Sequence, residues 1–154
     1  MNRVTKHLQF IHKKSTNYYY NNKPGNGCGS VICWEPEFKP QEFKTKGDPI
    51  PVLYHEFVHS YNNATGTMQN GETFFINKKG QKYYLLNSEL QAVGLKNPFA
   101  QLITYPDGVK RSTNPPEFTE NAMRKRRGIP LRDCYYDNEF NSHPIQPYTL
   151  LPTK

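Results

Sequence analysis

The sequence predicts a small α+β domain, and three observations lead to that prediction. Residues 48–66 carry the capping residues and periodic apolar side chains of a helix. Residues 72–86 carry two short runs rich in aromatic and aliphatic residues around Lys79-Gly80, which is typical of a hairpin. A second helical pattern, "NSELQAVGL", begins at Asn87. The 154 residues suffice for one domain with a core and are too few to expect two.

Composition limits the classes of protein to consider. The net charge of +7 suits a nucleic-acid, membrane or acidic protein partner as well as a plain basic surface. Three cysteines argue against a disulfide framework, and the spacing of Cys28 and Cys33 without a second pair argues against a zinc ribbon. No apolar run reaches the ~18 residues that span a bilayer. The first 23 residues lack the apolar centre of a secretory signal peptide.

We divide the chain into three parts. Residues 1–24 form a basic leader, flexible or helical, that contains no acidic residue. Residues 25–140 form the functional domain, in which "SVICW" (30–34) follows a glycine-rich loop and is predicted as a short strand. Residues 141–154 form a Pro-rich tail that should be extended.

The first helix is bracketed by clear start and stop signals. Asp48 is a suitable N-cap and is followed by proline, while Gly66 provides the C-terminal stop. Leu53, Phe57 and Tyr61 recur at every fourth residue, which predicts an inward-facing apolar stripe.

This helix carries the motif H-E-x-x-H at His55, Glu56 and His59. Histidines four residues apart lie one helical turn apart, so both imidazoles can reach one zinc ion at ~2.0–2.1 Å. Glu56 is offset around the helix, where it can act on a water molecule rather than on the metal. This division of roles predicts a zinc-dependent hydrolase of the metalloprotease type.

A catalytic zinc usually has three protein ligands, so a third is required. Asn62 and Thr65 stand where the metzincin spacing would need Gly and His, which excludes that class. Glu89 on the second helix is one candidate, because the predicted hairpin would bring the chain back towards the first helix. Glu72 is the rival, and the spacing alone leaves both open. His143 lies farther on, in the Pro-rich tail.

Five basic residues crowd into 124–132 of the C-terminal region. Thr119 should cap a short helix there, and Gly128 should end it. The basic residues form either a solvated helix end or the wall of a cleft. In the second case a side chain could donate to the oxyanion of a peptidase transition state. The candidates are Arg132, Tyr135 and Tyr136.

Four segments together resemble a known family, the NleD-like bacterial effector zinc metallopeptidases. The resemblance extends from Gly25 to about Tyr136, and its most specific feature is Thr-Glu-Asn followed by Gly-x-Pro-x-Arg. After His59 the chain departs from the family with Ser-Tyr-Asn-Asn, which predicts a more hydrated back of that helix. The segments are "GNGCGS" (25–30), "HEFVHSYNNATG" (55–66), "ELQAVGL" (89–95) and "TENAMRKRRGIPLRDCYY" (119–136).

The resemblance implies a site and a fold. His55, His59 and Glu89 would bind one Zn²⁺ per chain, and Glu56 would be the catalytic acid and base. The fold would be a gluzincin-like zincin. Its short twisted sheet, including 30–34 and the hairpin at 72–86, would pack on the H-E-x-x-H helix, and the second helix would lie alongside.

The resemblance also implies a biological setting. The protein would be an effector or toxin, secreted or injected by a bacterium without a cleavable signal in this chain. It would act as a monomer in the target-cell cytosol on a protein substrate, without a nucleic-acid or membrane partner. The best-known members cleave stress-activated MAP kinases, which makes a kinase a candidate substrate.

Two other classes of function stay open on the sequence. A basic nucleic-acid-binding or scaffold protein would bind DNA or RNA in a salt-sensitive way and would not need the motif for catalysis. A zinc hydrolase of a non-peptide substrate would use the same metal residues but leave proteins intact.

Overall fold

The computed structural model describes residues 25–35, 37, 45, 47–76, 82–133, 135 and 149–151, and these parts form a small α+β structure. Its elements, in chain order, are α1 (Ile50–Thr65), β1 (Glu72–Ile76), β2 (Lys82–Leu86), α2 (Asn87–Val93), β3 (Ile103–Thr104), β4 (Lys110–Arg111), α3 (Glu120–Arg126) and β5 (Thr149–Leu151). Within the described residues, no helix has the length and apolar character required to cross a membrane.

Helix α1 begins one residue later than predicted, because Pro49 rather than Asp48 occupies the N-cap position, and it ends at the predicted Gly66. The backbone N–H of Ile50 donates to Asp48 Oδ1 at 3.0 Å, and Gly66 ends the helix in the left-handed region at φ 65°. The predicted apolar stripe is wrong, however, because Phe57 is 52% exposed. The buried residues of the helix are Pro51, His55, Val58, His59, Asn62 and Asn63.

The hairpin forms as predicted from the two β-rich runs. Strands β1 and β2 are antiparallel, with Glu72 opposite Leu86, and Leu85 is buried between exposed neighbours on the same strand. The Lys79-Gly80 turn lies outside the described residues. Strand β5, from the C-terminal tail, pairs antiparallel with the other edge of β1, so the order of strands is β2-β1-β5.

The segment "SVICW" does not form the predicted strand; residues 30–34 have no regular secondary structure. The loop that precedes it packs instead on the C-terminal end of α1. There Gly25 N donates to Gly66 O at 2.8 Å and Cys28 N donates to Asn63 O at 2.9 Å. A Cβ atom on Gly66 would overlap the carbonyl oxygen of Gly25, so the glycine permits the close approach. The loop thus satisfies carbonyl groups at the helix end rather than extending the sheet.

Helix α1 packs against α2 and α3, while the principal contact of the sheet with a described helix is from β2 to α2. Among the described residues, the sheet therefore packs mainly on α2, and not, as predicted, mainly on the H-E-x-x-H helix. The positions of α2 and α3 matter for function, because each presents its first turn to the histidine face of α1.

Near its C-terminal end, α1 contributes Asn62 to a buried cluster of neutral polar side chains, which we call the amide network. Asn62 and Asn114 form a reciprocal pair, with Nδ2 to Oδ1 distances of 2.8 and 3.0 Å. Tyr105 donates to Asn114 Oδ1 at 2.9 Å, and Gln91 Nε2 donates both to the Tyr105 hydroxyl and to Thr67 O at 2.8 Å. The expected hydration of this part of the helix is wrong, since Asn62 is 0% exposed.

Candidate metal and catalytic site

The two histidines of the motif lie on the buried side of α1 and face the same point. Their relative accessibilities are 7% for His55 and 6% for His59, and their Nε2 atoms are 3.0 Å apart. This convergence follows from the four-residue spacing, which stacks the two side chains on one helix face.

Glu89 completes a cluster of three possible metal ligands. It lies in the first turn of α2, and its carboxylate oxygens are 3.1 Å from His55 Nε2 and 3.3 Å from His59 Nε2. Ligands bound tetrahedrally to zinc at ~2.0–2.1 Å lie about 3.3 Å from one another. Two imidazoles and a carboxylate with these separations therefore fit the ligand set of a single catalytic metal ion.

The other acids considered as ligands are placed differently. Glu72 is exposed on β1, opposite Leu86, and does not belong to the His–His–Glu cluster. Asp107 forms an ion pair with Arg111 at 2.7 Å in the β3–β4 turn. His143 lies outside the described residues.

Electrostatics stabilise the charged forms in this cluster. Burial alone would lower the pKa of His55, but hydrogen bonds to Glu120 and Glu89 outweigh burial and raise it to about 10. Burial alone would raise the pKa of Glu89, but hydrogen bonds with both histidines outweigh burial and lower it. A cation bound to the three ligands would supply the same positive charge beside Glu89 that protonated imidazole supplies without it.

Glu56 lies next to His55 on the helix and is partly buried. Burial raises its pKa, while the nearby positive charge of the histidines opposes that shift. A carboxyl group whose pKa is raised from its ordinary value is better suited to take and return a proton during a reaction.

Glu120, in the first turn of α3, is a residue of this site that the sequence analysis missed. Its Oε2 atom accepts from His55 Nδ1 at 2.9 Å and from Arg132 at 2.9 Å, and its Oε1 atom accepts from Arg124 Nε at 2.6 Å. Burial would raise the pKa of Glu120, but these three partners outweigh burial and lower it to about 2. The "TEN" segment indicated a helix start and contributed to the family resemblance, but neither gave Glu120 a role in the site.

Of the three oxyanion candidates, the structure brings Tyr135 to the ligands. Its hydroxyl donates to Glu89 Oε2 at 2.7 Å. Arg132 is buried, bound to Glu120, and its guanidinium carbon lies 4.7 Å from the centre of the Tyr135 ring. Tyr136 lies outside the described residues.

The basic residues of α3 do not all face solvent. Arg124 is 0% exposed and donates to Glu120 and to Pro130 O, whereas Lys125 and Arg126 are exposed. Arg124 therefore lies neither at a solvated helix end nor in a cleft wall. It lies in the interior of the protein, next to the candidate site.

Comparison with models of known protein families gives a match over most of the chain. The model of the family Peptidase_M91, described as "Effector protein", matches residues 3–135. No curated protein and no solved structure matches the chain. The matched range covers most of the chain and contains all the site residues described above.

Proposed function

The chain belongs to the Peptidase_M91 family of effector proteins, and from this membership we propose that it is a zinc-dependent endopeptidase. The family match confirms the resemblance drawn from the four sequence segments. The observation that carries the proposal is the convergence of His55, His59 and Glu89, with donor atoms 3.0–3.3 Å apart, beside Glu56. A zinc ion held there would polarise a peptide carbonyl and lower the pKa of water.

The chemistry assigned to the chain itself begins with Glu56. Its carboxylate takes a proton from the water molecule whose oxygen attacks the peptide carbonyl carbon. It then delivers that proton to the amide nitrogen as the C–N bond breaks. The partial burial of Glu56 and its raised pKa support this role, since the same group must accept and release a proton.

Tyr135 is our proposed donor to the carbonyl oxygen as negative charge develops on it. A phenol hydroxyl is a neutral donor, and this one already donates to Glu89 within the candidate site. The buried ion pair between Arg132 and Glu120 favours a supporting role for the arginine rather than direct contact with substrate. Tyr136 remains the alternative donor.

The placement of the third ligand on a second helix supports a gluzincin-like arrangement, although the sheet packs differently from the expectation.

The effector family supports a protein substrate and action inside a target cell. Within that class, we propose a bacterial effector or toxin that acts as a monomer. A stress-activated MAP kinase is its first candidate substrate, because the best-known members of the family that the sequence resembles cleave such kinases.

The test is a search for new peptide termini in host and bacterial lysates treated with the purified protein, together with elemental analysis. We expect about one zinc ion per chain and a small set of new termini that the Glu56→Gln variant does not produce. The exposed Glu72→Gln variant is the matched control and should cleave normally. Identical termini from the wild type and Glu56→Gln would contradict the proposal. Salt-sensitive nucleic-acid binding without zinc would favour the basic-protein alternative.

A further inference from the structure

A closed circuit of contacts joins two of the three candidate metal ligands: it passes through the metal position between His55 Nε2 and Glu89, and it returns to His55 behind the ring, at Nδ1. His55 Nε2 lies 3.1 Å from Glu89 Oε2, which accepts from Tyr135 at 2.7 Å. The Tyr135 ring lies beneath Arg132, which donates to Glu120 at 2.9 Å. Glu120 returns the circuit to His55 through the Nδ1 atom, also at 2.9 Å.

We propose that Glu120 is a positioning residue that fixes the tautomer and orientation of His55, and that Arg132 links this residue to Tyr135. The inference rests on the proposed metal function of His55. An ionised carboxylate only accepts hydrogen bonds, so the proton of the neutral imidazole is held on Nδ1. The lone pair on Nε2 then faces His59 and Glu89, where a metal ion would bind.

The surroundings of Glu120 support a fixed carboxylate. Glu120 is 2% exposed, and a buried charge of this kind is costly unless charged partners surround it. Arg124 occupies Oε1, while Arg132 and His55 share Oε2. Because both oxygens are engaged, rotation of the carboxylate would break hydrogen bonds with charged partners, and the Nδ1 acceptor stays in place.

The backbone of Arg132 is itself held by a side chain of α3. The Asn121 side chain accepts from Arg132 N and donates to Arg132 O, both at 2.8 Å. Arg132 also donates to the carbonyl oxygen of Tyr135. The helix that supplies Glu120 therefore also anchors the segment that carries the Tyr135 hydroxyl to Glu89.

The experiment compares the wild type with Glu120→Gln, using the exposed Glu117→Gln as a control that removes the same charge three residues away. Zinc affinity is measured by competition with a chelator, and folding by circular dichroism. We expect Glu120→Gln to lose about 10- to 100-fold in zinc affinity while Glu117→Gln retains it. Unchanged zinc affinity in a folded Glu120→Gln protein would overturn the inference.

A second measurement does not depend on the folding of any variant. A long-range proton–nitrogen correlation spectrum of the zinc-loaded wild type reports which nitrogen of His55 carries the proton. We expect a protonated Nδ1, with its hydrogen strongly shifted by the carboxylate. A protonated Nε2, or metal on Nδ1, would overturn the inference even if Glu120→Gln fails to fold.

These readouts separate this inference from the proposed function. A wild type that binds zinc with His55 protonated on Nδ1 but cleaves no protein would remove the peptidase proposal and leave the role of Glu120 intact. A zinc peptidase with His55 protonated on Nε2 would support the peptidase proposal and overturn the role of Glu120.

Discussion

Helix α1 enters two buried polar networks of opposite character. Its central turns supply His55 and His59 to a charged network that continues through Glu89 and Glu120 to buried arginines. One turn later, Asn62 enters the amide network, in which every group is neutral. The two regions share the burial of polar atoms and differ in whether those atoms carry charge.

Because of this difference, we expect the amide network to contribute to stability and the charged network to contribute to binding or catalysis. Net contributions of neutral hydrogen bonds are about 0.5–1.5 kcal/mol each, so the amide network mainly stabilises the packing of the chain around α1. A buried cluster of charges is costly to assemble and gains little stability over apolar packing. Buried clusters of charged groups are nevertheless common at binding and catalytic centres, and this cluster lies beside the helix face that carries the two histidines. Changes in the charged network should therefore alter chemistry, and changes in the amide network should alter stability alone.

The largest effect should follow from removing a ligand. We expect His55→Ala or His59→Ala to abolish both zinc binding and cleavage, because two remaining ligands cannot hold a catalytic metal ion firmly. Glu89→Ala should lower zinc affinity strongly, whereas the exposed Glu72→Ala should not. Elemental analysis after dialysis is the measurement, and full zinc content in the double histidine variant would disprove the assignment.

The next largest effect separates chemistry from metal binding within the charged network. Glu56→Gln should retain zinc and the fold while turnover falls by orders of magnitude, since the amide cannot take the proton from water. Zinc content, circular dichroism and kcat are measured on one preparation. Near wild-type turnover in this variant would rule out the acid–base role.

Tyr135→Phe removes one hydroxyl donor and should lower kcat by about 10²–10³-fold, the range for loss of an oxyanion donor. Short and long substrates should be affected alike, because the change acts at the reacting carbonyl. Tyr136→Phe is the matched control. A loss of kcat in Tyr136→Phe alone would transfer the role to that residue.

Helix α3 carries a buried arginine, Arg124, and an exposed one, Arg126, so the effect of removing each charge on stability can be compared. Arg124→Gln should cost about 3–5 kcal/mol of unfolding free energy, because Glu120 would lose a buried counter-charge. Arg126→Gln should change stability by less than about 0.5 kcal/mol, as is usual for surface substitutions. Denaturant unfolding of the metal-free proteins measures both values. Equal stability losses would contradict the buried position of Arg124.

The smallest functional effect should come from the amide network. Asn62→Ala should lower the unfolding free energy by roughly 2–3 kcal/mol, because the Asn114 side chain would lose its amide partner inside the protein. The folded protein should keep its zinc affinity and kcat. Asn70→Ala, at an exposed asparagine, serves as the control for stability. A fall in kcat without a fall in stability would show that the two networks are not separate.

Local patterns in the sequence predicted a large part of this molecule. Start and stop signals located α1, two runs of aromatic and aliphatic residues around Lys79-Gly80 located the hairpin, and the four-residue spacing brought His55 and His59 onto one face. Helix geometry and turn chemistry depend on neighbours in the sequence, so they can be recognised without knowledge of the fold. Glu89 was identified as a candidate because a short hairpin returns the chain by a predictable path.

Only the tertiary structure decided which distant residues meet at the site and which face of α1 is buried. Glu120 is 65 residues from His55, and a glutamate in the first turn of a helix is favoured by the helix dipole whether or not it has a partner. Likewise Phe57 is apolar but exposed and Asn62 is polar but buried, because α2 and α3 cover a different face of α1 from the one that hydrophobicity indicates. The sequence determined which groups lie on each helix face, and the packing of distant segments determined which face was buried and which charges met there.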